Sequence, residues 1–453
     1  MGKLWNKTSY KLNKIVEKFE TEDDLVLDKY LVEADVYGSF AHAFMLSTIG
    51  LLTKTELADI QKGLLKILEL SKEGKFNLEF GDEDIHTKIE NFLTQNIGNA
   101  GKKIHAGRSR NDQVLLDIRI YTKSELLKIW GNLLNLTSVL IDLSEKYSNI
   151  PMPGYTHMQK AMSSSVGMWF GSFAESLIDD MKVLQTAFDL NNQSPLGSGA
   201  GYGVLLNLDR KLVADFLGFK KVQTNSLYCQ NSRGKIESIV VFSLLQIAFD
   251  ISKLASDILL FTTSEFDFFE VDESLFTGSS IMPQKRNVDV AELLRSKVNI
   301  MQGYFVQVFN TVVNLPSGYN RDFQDIKRPF IESINLTKNV INISEILVKN
   351  IKPKKDILIK SMTPELYATH VVYELVKDGV SFREAYKEVE DKIDNLPSFN
   401  PYEVLKMSKH IGGTANLQNV VMKKELTRYK KDLLKETKNY NKIIFNFRNK
   451  KRA

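Results

Sequence analysis

Groups suited to covalent, redox or metal chemistry are scarce in this sequence. A single cysteine, Cys229, in 453 residues excludes an internal disulfide and fits a reducing compartment, so a cytoplasmic protein is expected. Cys229 has no conspicuous base near it and reads as a small buried residue. The six histidines, at positions 42, 86, 105, 157, 370 and 410, never pair at three- to five-residue spacing, and no HExxH occurs, so no metal site is expected. Nucleotide loops fail as well. "GSGAGYG" carries Gly197, Gly199, Gly201 and Gly203, but Tyr202 falls where a dinucleotide loop needs its third glycine. No strand is expected ahead of it, and the segment reads as a flexible turn between helices. No uninterrupted apolar run approaches about 18 residues, so no membrane span is expected. "MGKLWNKTSYKLNK" has no apolar stretch after its lysines and puts Asn6 where a myristoylation motif needs Ser or Thr. Neither a secretory signal nor that lipid anchor is expected.

Helix breakers are sparse too. Ten prolines occur in the chain, and Lys235 to Phe276 holds neither Gly nor Pro. Within that tract Ile236, Ile239, Val240, Ser243, Leu244, Ile247, Ile251, Leu254 and Ile258 recur at three- and four-residue steps, as one helical face requires. Asn111 to Ile150, with Leu126, Ile129, Leu133, Leu136 and Leu140 in register, and Val288 to Leu315 repeat the pattern. Tracts this long without a heptad predict a bundle of long helices. The expected class is mainly α, divided into an N-terminal helical domain (1–108), a central helical bundle (109–352) and a C-terminal helical domain (353–453). Wide apolar faces suggest packing against further helices, including those of other subunits.

Charge is nearly balanced overall at +5, yet Lys423 to Arg452 holds twelve Lys/Arg against three Asp/Glu. The rest of the chain is therefore slightly acidic. A basic tail suits nucleic acid, but Leu426, Tyr429 and Leu433 sit at helical spacing within it, which favours an amphipathic helix. No nucleic-acid partner is expected.

What is present is polar loops beside those helices. "TGSSIMPQKRN" (277–287) puts hydroxyls, a cation and an amide on a segment that bends. "GRSRND" (107–112) places Arg108, Ser109, Arg110, Asn111 and Asp112 at a helix start, where guanidiniums and the helix terminus favour carboxylates. "PGYTHMQ" (153–159) sets His157 beside Thr156 in a Pro/Gly loop ahead of a helix. Glu292 has an ordinary reading as a capping-box partner of Asp289. Together these groups suit abstraction of a proton next to a carboxylate, with cations and amides stabilising the charge that develops. A serine acts as base only if Lys285 or backbone amides stabilise its alkoxide. The residues do not name a substrate.

These segments resemble a known family. "GSSIMPQKRN" fits the GSSxMPxKxN signature of the fumarase/aspartase superfamily. "KKIHAGRSRNDQV", "MPGYTHMQ", "NNQSPLGSGAG", "DEDIH" and "LPSGYNRDFQDIK" resemble the argininosuccinate lyases within it. The resemblance covers nearly the whole chain. It implies a nearly all-helical, three-domain homotetramer without cofactor, each active site built from loops of three subunits. It also implies reversible cleavage of argininosuccinate to arginine and fumarate. By position, Ser279 matches the mobile-loop catalytic serine, His157 the catalytic histidine and Glu292 the carboxylate that orients it. Lys285 and Asn287 match groups near the developing aci-carboxylate. Asn111, Thr156, Tyr319, Gln324 and Lys327 match substrate contacts, while Asp84, His86, Arg110 and Arg233 match supporting positions.

Either Ser279 or His157 is the base under this resemblance, and histidine suits both roles near neutral pH. Val288 stands where the family commonly has Pro, and Ala106 where it often has Thr. A crystallin-like structural protein on the same scaffold, or another fumarate-releasing lyase such as adenylosuccinate lyase, is the alternative reading.

Overall fold

The computed structural model describes residues 13–79 and 82–449. The expectations for the first twelve residues and for the end of the basic tail lie outside them. Five long helices form the centre: Arg110–Lys146, Val166–Asn191, Lys235–Phe261, Asp289–Val312 and Lys327–Lys349. Each packs against at least two of the others. At about 1.5 Å per residue the first is roughly 55 Å long. It starts where Ser109 caps it: the Ser109 hydroxyl accepts from the helix backbone, and the Asp112 carboxylate accepts from Ser109 N at 2.9 Å. Leu126, Ile129, Leu133, Leu136 and Leu140 are all fully buried, as are Val240, Leu244, Ile247 and Ile258 on the Lys235–Phe261 helix. The three- and four-residue spacing thus marks the inner face correctly.

The N-terminal helices Val32–Thr48, Lys54–Lys72 and Ile85–Ile97 pack beside one another, and the first and third also pack against the Arg110–Lys146 helix. Residues 355–405 form short helices around two small apolar clusters of their own, centred on Tyr367 and on Val372 with Val389. The Asn419–Asn449 helix returns to the bundle, burying Met422, Tyr429, Ile443 and Phe447. The apolar stripe of the basic tail is therefore a packing face. Arg110–Lys146 and the Ser226–Phe261 run are each long and apolar enough to cross a membrane by composition, and 56% of each apolar window is buried inside this chain.

Three sequence expectations need correction. The breaker-free tract from Lys235 does not stay helical to Phe276. The helix stops at Phe261, where Thr262 and Thr263 hydroxyls bond back onto the last carbonyls, and Asp267 adopts a left-handed φ of 49°. The segment "PMPGYTHMQKAMSSS" is not a loop before a helix but a β-hairpin, Pro151–Thr156 with Gln159–Ser165. Two more short pairings occur among the described residues, Gln193–Ser194 with Lys221–Val222 and Phe269–Val271 with Ile351–Pro353. The first of these puts a short strand just ahead of the glycine loop, where none was expected.

Candidate active site

Eight of the residues singled out in the sequence line one cavity of about 210 Å³: Asp84, His86, Arg110, Asn111, Arg233, Tyr319, Gln324 and Lys327. They come from four distant segments. Asp84 N-caps the Ile85–Ile97 helix, its carboxylate accepting from Thr87 N at 2.7 Å, so His86 falls in the first turn. Arg110 and Asn111 open the long central helix, and Arg110 pairs with Glu83 and with Asp84 (3.6 Å). Arg233 is held by two rings, Tyr319 at 5.1 Å and Phe323 at 4.9 Å from its guanidinium carbon. Gly234 follows with φ 73°, and a β-carbon there would lie 2.3 Å from Val312, so only glycine fits.

Sequence reasoning missed Asp24, Asp28, Glu83 and Arg321 on the same wall. Lys327 Nζ donates to Asp24 at 2.5 Å and to Asp28 at 2.6 Å, with all three side chains nearly inaccessible. Burial works against the Lys327 charge, but the two carboxylates hold its ammonium well above the ordinary lysine value. Gln324 Nε2 donates to the other oxygen of Asp24 at 2.5 Å. A sequence signal did exist: two aspartates four apart near a helix end repel unless a cation sits between them.

Beneath His86 lie Asp35 and Asp117, also unforeseen. His86 Nδ1 bonds directly to Asp35 and lies 3.4 Å from Asp117. The three offer ligand atoms within 4.8 Å of one another, a grouping that local spacing rules cannot detect. Burial opposes a charge on His86, yet Asp35 and then Asp117 and Asp84 raise it to about 10. The direct His86–Asp35 bond places the nearest of these carboxylates against Nδ1. Arg108 does not line the cavity. It is buried, donating to Ser39 Oγ at 2.9 Å and facing Glu90 at 3.5 Å.

The glycine loop is pinned rather than flexible. Asp112 accepts from Gly197 N at 3.0 Å and Gly199 N at 2.9 Å, and both glycines have positive φ (85° and 59°). One carboxylate thus caps the long helix and fixes the loop against it. Burial nevertheless raises Asp112 to about 6, against the pull of these amides.

The remaining predicted residues lie elsewhere on the chain. His157 and Met158 form the two-residue tip of the hairpin, both left-handed (φ 52° and 63°). Such turns favour Asn and Gly, and other residues there cost on the order of 1–3 kcal/mol each. Thr156 precedes the tip, and all three are exposed. His157 instead lines a separate cavity of about 440 Å³ under the hairpin, beside Tyr155, Trp169 and Asp257. Ser279 and Lys285 lie on a lobe pinched at its base, where Thr277 and Asn287 exchange backbone bonds of 3.0 and 2.9 Å. Ser279 Oγ accepts from Met282 N at 3.2 Å, while Lys285 points into solvent.

Glu292 is exposed, and the capping-box reading fails: Val288 is the N-cap and has no side-chain cap bond, while Asp289 accepts from Thr277 Oγ1. The two family departures lie outside the cavity lining. Val288 packs into the core, and Ala106 packs against it while its carbonyl accepts from His42 at 2.8 Å. Cys229 is fully buried, and burial pushes its thiol up.

A family model described as Lyase matches residues 7–303. The chain is 44% identical over 390 residues to an argininosuccinate lyase of Thermotoga neapolitana, covering 86% of this chain and 98% of that one. It is 45% identical over 387 residues to that of Bacteroides thetaiotaomicron, covering 85% and 86%. In fold it is similar to an EDDS lyase in complex with formate (TM-score 0.79, 21% identity, 98% of both chains). A class II fumarase of Schistosoma mansoni is similar as well (TM-score 0.72, 16% identity, 88% and 96%). These likenesses do not favour the crystallin-like or adenylosuccinate alternatives. The chain belongs to the argininosuccinate lyase family of the fumarase/aspartase superfamily.

Proposed function

We propose that this protein cleaves argininosuccinate reversibly into arginine and fumarate, as a cytoplasmic homotetramer with three domains at 1–108, 109–352 and 353–453. One observation carries the reading: a single cavity joins acids (Asp24, Asp28, Asp84) with cations and amides (Arg110, Asn111, Arg233, Gln324, Lys327). A substrate with a guanidinium, an ammonium and three carboxylates needs that mixture. Ser279 removes the proton beside the carboxylate, Lys285 and Asn287 stabilise the aci-carboxylate, and His157, charged and oriented by Glu292, serves the departing nitrogen. The roles of Ser279 and His157 exchange in the second version of this mechanism. Proton transfer and charge stabilisation by side chains suffice for the reaction, and no metal or cofactor is invoked.

Assembly supplies the missing proximity. Phe242 and Phe249 on one bundle helix, and Leu293, Ile300, Val306 and Phe309 on its neighbour, are all more than two-fifths exposed. An apolar face of that extent supports burial against other subunits. It would let one subunit's hairpin tip and lobe reach another's cavity. The lobe then closes over bound substrate and excludes water. A spectrophotometric assay of fumarate release tests the activity. Argininosuccinate should be turned over, and adenylosuccinate and aspartate should not; release from either of those instead would overturn the substrate assignment. Size-exclusion with light scattering tests the tetramer, and a monomer that retains full activity would refute the shared site.

A further inference from the structure

We propose that Asp35 is a positioning residue that keeps His86 a permanent cation in the cavity wall, facing a substrate carboxylate, while Asp117 stands beside it as a neutral acid. The placement of the charge rests on geometry alone; its use on substrate rests on the lyase reading above.

Two carboxylates approach the same ring nitrogen, and their surroundings differ. Asp35 is completed as an anion. One oxygen bonds His86 Nδ1, and the other accepts from Ser39 Oγ at 2.9 Å. Ser39 in turn accepts from Arg108 Nη1 at 2.9 Å. Asp117 lacks such hydrogen bonds: its Oδ2, 3.4 Å from the same ring nitrogen, is buried without a hydrogen-bond partner, and the charges of His86 and Arg108 do not outweigh its burial. An ionised carboxylate left in that state is costly, whereas a protonated one is tolerated. Both side chains are 2% exposed, so water cannot even out the difference.

Every element around the ring adds charge to this balance. Asp35 and Ser39 come from the Val32–Thr48 helix, Asp117 from the Arg110–Lys146 helix with Arg108 just ahead of it, and Asp84 from the cap of His86's own helix. Asp28, from the preceding turn, is tied to Lys327. The resulting directions agree with the geometry. Burial opposes ionisation of Asp35, but His86 and Arg108 hold it below the ordinary carboxylate value, while burial and then Asp35 push Asp117 well above it. With Nδ1 occupied, the other ring nitrogen of His86 remains for the cavity that the residue lines.

The test uses full-length protein with nitrogen-labelled histidine, the His86 resonance being identified by its absence in His86→Gln. In the wild type that imidazole should stay charged throughout the neutral range. In Asp35→Asn it should become neutral there, and in Asp117→Asn, which mimics the protonated acid, it should stay charged. Ser39→Ala, which keeps the carboxylate but removes one of its bonds, should shift the titration in the same direction as Asp35→Asn and by less. It serves as the reporter if Asp35→Asn does not fold.

A neutral His86 in the wild type, or equal effects of the two aspartate variants, would overturn the assignment, whatever the substrate. Kinetics then test the use of the charge. Asp35→Asn should raise KM for argininosuccinate at least tenfold at pH 8 and recover toward wild type at pH 6, with kcat changing less. A KM that stays at the wild-type value would refute a substrate role for the charge. Absence of turnover in the wild type would instead refute the lyase reading and leave the resonance result standing.

Discussion

The cavity around Lys327 and the exposed hairpin tip at His157 obtain their precision by opposite means. At the cavity, charges are buried and interlocked: Lys327 is fixed by Asp24 and Asp28, and Arg233 by two aromatic rings. This geometry is complete within one chain. At the tip, His157 and Met158 hold left-handed backbone conformations on a hairpin whose end faces solvent. The Ser279 lobe is similar, tied only at its base by the Thr277–Asn287 pairing. Under the proposed mechanism, the difference makes binding and proton transfer separable. Recognition would be built into the core, where altering it should cost stability. The proposed reacting groups would sit on exposed supports, where altering them should cost rate alone.

The largest effect expected is on stability. Lys327→Met strands two buried carboxylates and should cost about 3–5 kcal/mol in denaturant unfolding; wild-type stability would mean that charge does not lock the cavity. Next come His157→Asn and Ser279→Ala. Each should lose at least roughly 2.7 kcal/mol of transition-state stabilisation, about a hundredfold in kcat/KM. Ser279→Ala should leave the unfolding midpoint unchanged, and His157→Asn, which suits the left-handed tip, should hold or raise it; a loss of stability in either would break the contrast.

Asp112→Asn turns one of the two oxygens that accept from Ser109, Gly197 and Gly199 N–H into an NH2 donor facing a donor, and should cost about 2 kcal/mol. Its pH signature has a definite sign. Because the folded state raises this carboxyl to about 6 from 3.8, its contribution to stability is whole below the ordinary value and is lost as pH rises through about 6. The variant should lack that slope in melting temperature. Thr53→Ala, which removes an exposed capping box far from both regions, should cost about 1 kcal/mol and leave the kinetics unchanged. It calibrates what a purely local loss looks like.

Much of the fold could be read in the sequence because long helices advertise themselves by period. The buried register from Leu126 to Leu140 is an example. The hairpin could not, because Pro151, Pro153 and Gly154 break any alternation, and a bulge at Gly154/Tyr155 shifts the register. The glycine loop misled for a related reason: its purpose is to receive Asp112, a partner about 85 residues away. The same holds for the site. Loops rich in Arg, Asn and Lys were visible, and Arg110 and Asn111 from one of them do line the cavity, while the other six residues there were reached only through the family resemblance. Asp35 and Asp117 were not, since an acid among the apolar residues of a long helix reveals its purpose only when His86 is seen beside it.

The Asn419–Asn449 helix carries a consequence for how the chain reaches this state. Phe447 packs edge-on against Tyr37 and Phe40, at 5.5 and 5.0 Å, and its carbonyl accepts from Gln61. Tyr429 meets Trp130 at 6.4 Å. The aromatic slot between the N-terminal helices and the bundle is thus filled by residues about four hundred positions downstream. During synthesis that slot stays open until nearly all of this sequence has emerged, exposing rings that favour aggregation. Maturation of the protein is therefore paced by a late-arriving plug, and shielding of the nascent chain matters most before it docks.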